Sequence, residues 1–329
     1  MIFRNVRWLA GLLLATVLCG FAVAQDVPVI KVGVLKFGTV NWELKAMQHH
    51  GLDQANGFTL EIVPYAGGDA TEIALQGDAV DVIVSDWLWV SRLRQEGVGL
   101  ALVPYSSSVG ALMVAGDSDV QTLADVSGKT IGVAGGPLDK SWLLLQGMAQ
   151  QEHELDLAAD NEIVFGAPPL LAEKLRSGEL DVMLNFWHYN ARLEAEGFRR
   201  VVSAEEAANA LGASGPISSI GYVFKEAWAE NAPVAGFINA SRQTKQLLRD
   251  SDDEWQRLSD SGAIKDGPDA LRVLRDRFRE GIPVRELSAE VEDAEHVYGV
   301  LAEIGGSKLV GESPDMQPGT YWTGAGSSR

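Results

Sequence analysis

The chain has 329 residues, 46% of them hydrophobic and 22% charged, with a formal net charge of −18. That length and composition describe one large or two medium globular domains with a full apolar core. The negative charge argues against nucleic acid, whose phosphates require a basic face, and against anionic lipid surfaces.

The start of the chain has a separate character. Arg4 and Arg7 are basic, Trp8 to Gly20 is an apolar run too short to span a bilayer, and Ala22-Val23-Ala24 is a small-x-small cleavage pattern. Residues 1–24 therefore read as a secretory signal peptide cut before Gln25, with an uncleaved anchor as the alternative. Arg4 and Arg7 are not adjacent, so a twin-arginine signal is not indicated. Leu18, ahead of Cys19, is bulky where a lipoprotein site wants a small residue. Cleavage would remove both arginines and the single cysteine, moving the net charge from −18 to −20. A mature chain without cysteine has no thiol chemistry and no disulfide, which together with a Sec-type signal fits the periplasm. No later apolar run approaches the length of a membrane span.

Strands and helices then alternate. Val29–Leu35 reads as a strand, the 37–40 loop carries Gly38, and Asn41 is a candidate cap for a helix to about His50. Leu60–Val63 is the next strand. Asp69-Ala70-Thr71-Glu72 has capping-box spacing and opens a helix. Val80–Val84 is a continuous apolar strand of the kind buried on both faces. Ser85 or Asp86 caps the helix from Trp87 to Gln95, and Val98–Val103 is a strand. In the second half, Gly110–Ala115 reads as a strand crossing between lobes. Lys129–Ala134, Glu162–Phe165, Leu180–Leu184 and Phe198–Val202 are further strands, with Ser141 capping a helix and Pro168-Pro169 opening another. Ser219–Phe224 reads as the returning strand. Helices follow over about 233–249, 253–259, 268–280 and 289–304, and the tail after Lys308 is left either draped over a lobe or mobile. Such alternation implies parallel sheets with ligands at the carboxyl ends of the strands.

The two halves repeat. VDVIVSDWLWVSRLRQEG at 80–97 aligns without a gap with LDVMLNFWHYNARLEAEG at 180–197, so that Asp81 matches Asp181, Trp87 matches Trp187 and Gly97 matches Gly197. Two similar lobes facing one ligand are implied.

The signal, the strand KVGVLKF, the GDAVDV and GELDV segments, and LADVSGKTIGVAGG with GYVFKEAWAENAP resemble periplasmic substrate-binding proteins of ABC importers. Within them the resemblance is to the nitrate/sulfonate/taurine class, which includes binders of thiamine-precursor pyrimidines. It covers roughly residues 28–305. It implies an α/β, two-lobe periplasmic-binding-protein type II fold, each lobe a mostly parallel sheet flanked by helices, joined by two crossing strands. Lobe one would be 25–108 plus 225–329, and lobe two 109–224. It also implies a small-molecule ligand, a monomer, and a membrane permease as partner, with no cofactor and no metal.

Six loops should converge on the cleft, each ahead of a helix whose free N–H groups could hold an anion. The candidate ligand-binding residues are Lys36, Thr39, Asn41 and Trp42 in the first loop, Gly68 and Asp69 in the second, and Ser85, Asp86 and Trp87 in the third. From the other half come Asp139 and Trp142, then Asn185, Trp187 and His188. Trp87 and Trp187, directly after strand ends, are assigned to the cleft. Trp42 and Trp142 fit the cleft or the core equally, Trp89 fits the core, and Asp69 fits better as the cap of its own helix than as a ligand residue. The loop charges Lys36 and Lys140 stand against Asp69, Asp86 and Asp139, and no arginine cluster reaches these loops. An amphipathic organic ligand holding a ring or an amine is thus better supported than a hard oxyanion.

The leading reading is a non-catalytic solute-binding protein whose ligand is a sulfonate, an aromatic or heterocyclic compound, or an amine. The alternative is an exported enzyme on a small heterocycle, with His188, Asp86 and Lys140 as its acid–base set. A transcriptional effector domain would need a helix-turn-helix where this chain has its signal. The histidines lack metal-ligand spacing, Gly135-Gly136-Pro137 lacks the Gly-Lys-Ser/Thr of a phosphate loop, and Arg272, Arg275, Arg277 and Arg279 read as a solvated helix face.

Overall fold

The computed structural model describes residues 27–324; the expected signal peptide and Cys19 lie outside the described residues. β1 (Val29–Leu35) leads into α1 (Val40–His49), the single turn α2 (Leu52–Ala55) and β2 (Thr59–Tyr65). α3 (Gly68–Gln76), β3 (Val82–Ser85), α4 (Trp87–Gln95) and β4 (Leu100–Ser106) complete the first half. β5 (Ala111–Val114) crosses over, and a 3-10 turn at Leu123–Val126 precedes β6 (Thr130–Ala134), α5 (Lys140–His153) and β7 (Glu162–Gly166). α6 (Pro168–Arg176), β8 (Val182–Asn185), α7 (Trp187–Ala195), β9 (Arg199–Ser203) and α8 (Ala204–Ala210) follow. β10 (Ile220–Lys225) returns, succeeded by α9 (Glu226–Ala229), α10 (Val234–Asp250), α11 (Asp252–Asp260), α12 (Pro268–Glu280), α13 (Leu287–Gly305) and α14 (Ser307–Val310).

The strands form two five-stranded sheets, ordered β2-β1-β3-β10-β4 and β7-β6-β8-β5-β9. The orders become the same once β5 and β10 are exchanged. Each sheet takes its one antiparallel strand from the other half of the chain: β10 lies between β3 and β4, and β5 between β8 and β9. This is the two-lobe fold, each lobe a mostly parallel sheet flanked by helices, with β5 and β10 as the crossing strands.

The sequence repeat has a physical origin in strand pairing. Asp81 Oδ2 accepts from Lys31 N at 2.7 Å, and Asp181 Oδ2 accepts from Thr130 N at 2.8 Å. Each aspartate thus pins the start of its central strand to the neighbouring strand. Gly97 and Gly197 end α4 and α7 with φ of 83° and 94°, a left-handed conformation that glycine adopts without strain.

Several element ends differ from expectation. The strand expected at 98–103 runs over Leu100–Ser106, because pairing with β10 extends it. α3 starts at Gly68 with Gly67 as cap and no side-chain bond, so Asp69 sits inside the first turn. Asp139, not Ser141, caps α5, and Thr39, not Asn41, is the cap position of α1. α8 is a further helix between the strands expected at 198–202 and 219–224, and Ser203 and Glu206 form a capping box at its start.

The C-terminal helices tie the lobes together. α10 packs on the first lobe, where Phe237 meets Phe58 and Tyr222. α12 lies against α7 of the second lobe: Arg277 Nη2 reaches Glu194 at 2.5 Å, and Arg275 and Arg279 pair with Asp252. Arg275, Arg277 and Arg279 are therefore ion-paired packing rather than free solvated surface, while Arg272 stays exposed. α13 reaches the second lobe through Asp293, which accepts from Ser214 Oγ at 2.8 Å, and His296, whose Nε2 lies 2.8 Å from Leu211 O. The tail settles on the first lobe. Leu102 N donates to Thr320 O and Trp322 N to Leu102 O, both at 2.8 Å, covering the outer edge of β4. Trp322 packs edge-on against Phe224.

Candidate functional site

Both sheets point the carboxyl ends of their parallel strands at a shared cleft of about 330 Å³. The first lobe contributes Val34 and Val84 from strand ends, Thr39 and Val40 at the start of α1, and Trp87 at the start of α4. The second contributes Asp139, Lys140 and Ser141 around the start of α5, and Phe186, Trp187 and His188 around the start of α7. The floor is mostly apolar, with Leu144, Ile217, Ile220 and Leu301.

Of the sequence-derived candidates, Thr39, Trp87, Asp139, Trp187 and His188 line this cleft. The others lie elsewhere, for identifiable reasons. Lys36 is exposed and folds over the neighbouring Phe37 ring, with Nζ 5.5 Å from the centroid. Asn41 turns its side chain back to Leu35 O and Gly38 O, both at 2.8 Å, closing the β1–α1 loop. Gly68 and Asp69 are exposed on the first turn of α3. Ser85 donates to Glu72 Oε1 at 3.0 Å, and buried Asn185 donates to Pro168 O while accepting from Phe186 N. Trp142 is a core residue, and so is Trp42, which stacks edge-on with Trp187 at 6.1 Å and Trp255 at 5.7 Å.

The equivalent tryptophans have unequal surroundings. Trp87 is 4% exposed and packs on Tyr298 of α13, while Trp187 is half-buried and rests on Trp42 and on Phe278 of α12. Trp87 Nε1 has no hydrogen-bond partner among the described residues.

Asp86 and Lys140 join across the lobes, Nζ to Oδ2, at 2.8 Å. Burial works against the Asp86 charge, yet the Lys140 ammonium and the N–H groups of Trp89 and Leu88 outweigh it and hold the carboxyl below its ordinary value. Burial likewise disfavours the Lys140 ammonium, but Asp86, Asp139 and Glu72 overcome it and raise the pKa. Asp139 accepts from Trp142 N at 3.1 Å as helix cap, and burial pushes its carboxyl up. His188 is lowered to about 3, by burial first and then by the Arg192 charge, so its ring is neutral at physiological pH. No cluster of His, Cys, Asp and Glu suited to a metal occurs among the described residues.

Residues 44–254 match the family model described as NMT1/THI5 like. The chain belongs to this family. No curated protein matches the chain. Among solved structures, the alkanesulfonate-binding protein SsuA of Xanthomonas axonopodis pv. citri, bound to MOPS, is 16% identical with a TM-score of 0.66, over 91% of this chain and 99% of that one. The periplasmic aliphatic sulphonate binding protein SsuA of Escherichia coli is also 16% identical, with a TM-score of 0.69 over 90% and 97%. An ABC transporter structure from Parabacteroides distasonis is 13% identical, with a TM-score of 0.68 over 89% and 98%. At these identities the likeness is one of fold, which this family member shares nearly end to end.

Lys140, one of the loop charges, lines the cleft; the cleft residues that sequence reasoning misses are Ala204, Glu205 and Ala208 of α8. The Ser203-x-x-Glu206 box could have revealed α8. The cleft positions of Val297 and Leu301 had no local signal, since α13 reaches the cleft only through tertiary packing.

Proposed function

We propose that the protein is a periplasmic solute-binding protein that captures a small organic molecule between its lobes and delivers it to an ABC import permease. The observation that carries this reading is the largely apolar cleft of about 330 Å³, built from strand-end loops of both sheets. Relatives in fold include proteins described as binding sulfonates and as an ABC transporter component. The moving lobes are residues 25–108 with 225–329, and residues 109–224, acting in a monomer exported by the signal peptide. Ligand touching both lobes stabilises the closed form by its differential affinity.

The enzymatic reading gains no support from the site. Its lysine is held charged by Asp86, and its histidine makes no bond to either partner of that pair. Mass spectrometry of the molecule that co-purifies identifies the ligand, and small-angle scattering then compares protein with and without it. Compaction on binding and recovery of unchanged ligand are expected; absence of both a bound molecule and compaction sinks the proposal.

A further inference from the structure

Among the described residues, Lys140 is the one lysine or arginine lining the cleft, and it is already taken. Asp86 reaches it from the opposite lobe at 2.8 Å, and is itself fixed by accepting from Trp89 N through Oδ1 at 2.9 Å. The other charged side chains lining the cleft are Asp139 and Glu205, both acidic. An anion drawn to the Lys140 ammonium would have to break the Asp86–Lys140 pair and then sit beside uncompensated carboxylates. Trp87, which lines the cleft, also carries a buried Nε1–H that has no partner among the described residues. A buried donor left unpaired is costly, which favours a ligand able to accept from it.

We infer that Asp86 is a specificity-determining residue: it occupies Lys140 so that the cleft takes uncharged, largely apolar molecules carrying a hydrogen-bond acceptor for Trp87, and turns away sulfonates and other anions. The inference rests on the ligand-capture reading above and names the class of molecule captured. Specificity of this kind comes from the repulsive group as much as from the attractive one. It also predicts a latent site. With Asp86 neutral, Lys140 is released to make a charge-assisted bond to an anion.

The test uses 1-hexanesulfonate, its uncharged counterpart 1-hexanesulfonamide, and hexylammonium, titrated by calorimetry and tryptophan fluorescence. Wild type should prefer the sulfonamide to the sulfonate by about tenfold or more. Asp86→Asn keeps a good helix cap and should gain about tenfold or more for the sulfonate, with the sulfonamide little changed. Lys140→Met added to Asp86→Asn should abolish that gain. Asp86→Ser, another capping residue, serves if the asparagine variant folds poorly. Sulfonate bound by wild type as tightly as sulfonamide, or no sulfonate gain on neutralising Asp86, overturns the inference, silent titrations included. Hexylammonium bound more tightly than sulfonamide overturns the uncharged class. A co-purified anion would likewise overturn it while leaving ligand capture intact.

Discussion

Arg192 grips Asp266 with two parallel bonds, Nε to Oδ1 at 2.6 Å and Nη2 to Oδ2 at 3.0 Å. The pair ties α7 of the second lobe to the segment just before α12. Planar two-point pairing is the strong form of a surface ion pair, and both side chains are mostly covered. Asp266→Ala should therefore lower stability by about 1–2 kcal/mol in urea denaturation, above the usual range for exposed pairs. A loss below about 0.3 kcal/mol would mean the contact is passive.

The cleft tryptophans should separate under mutation. Trp187→Ala removes a half-buried ring and should weaken ligand binding by about 1–3 kcal/mol. Trp87→Phe keeps most of the ring packing against Tyr298 but deletes the unpaired Nε1–H, and should cost binding about 1 kcal/mol with little change in melting temperature. Calorimetry with the co-purified ligand measures both. Equal affinity in wild type and the two variants would remove the tryptophans from the site.

A buried charge cluster lies in the first lobe, away from the cleft. Glu43 accepts from Lys245 Nζ at 2.5 Å, Ser241 Oγ at 2.6 Å and Tyr222 Oη at 2.9 Å, and Lys245 lies 4.2 Å from the centre of the Tyr105 ring. Lys245→Met strands a buried carboxylate and should destabilise by about 3–5 kcal/mol. Adding Glu43→Gln should restore much of that loss. Denaturation of the single and double variants decides it, and a double variant as unstable as the single one would refute a charge-based cause.

Stability should respond to pH through the cleft in a definite direction. The Asp86 carboxyl is held below its ordinary 3.8, so its contribution is present above that value and disappears as pH falls through the lower folded one. The raised Lys140 contributes below 10.5 and is lost as pH climbs past its folded value. The stability gap between wild type and Asp86→Asn should thus be widest in the neutral range and close at both extremes. His188 adds to the loss on the acid side. Between 6.5 and about 3 the unfolded chain takes up a proton that the folded site refuses, so this group lowers stability as pH drops through that window. Histidine NMR titration should find its ring neutral throughout pH 5–8, and a ring titrating near 6.5 would contradict the burial argument.

What the sequence discloses follows the range of the forces involved. Pro268 at the first helical turn and Gly281 just past the end mark α12 to the residue, because both act locally. The apolar strands and the offset repeat disclose both sheets, including the strand that returns at β10. The candidate site is legible only where strand ends supply it. Trp87 and Trp187 look like twins in the repeat, but Tyr298, Trp42 and Phe278 make them different, and those neighbours arrive from distant helices. Asp86 and Lys140 each stand out as loop charges. Their pairing across two lobes has no local pattern to announce it.

The exchange of β5 and β10 governs when the protein can fold. Since β10 separates β3 from β4, the first sheet has no continuous hydrogen-bond ladder until residues 220–225 have been synthesised. A growing chain shorter than that carries β4 without its partner, and the second lobe is nearly complete before the first can close. The last strand to arrive is thus the one that commits the first sheet to its final order.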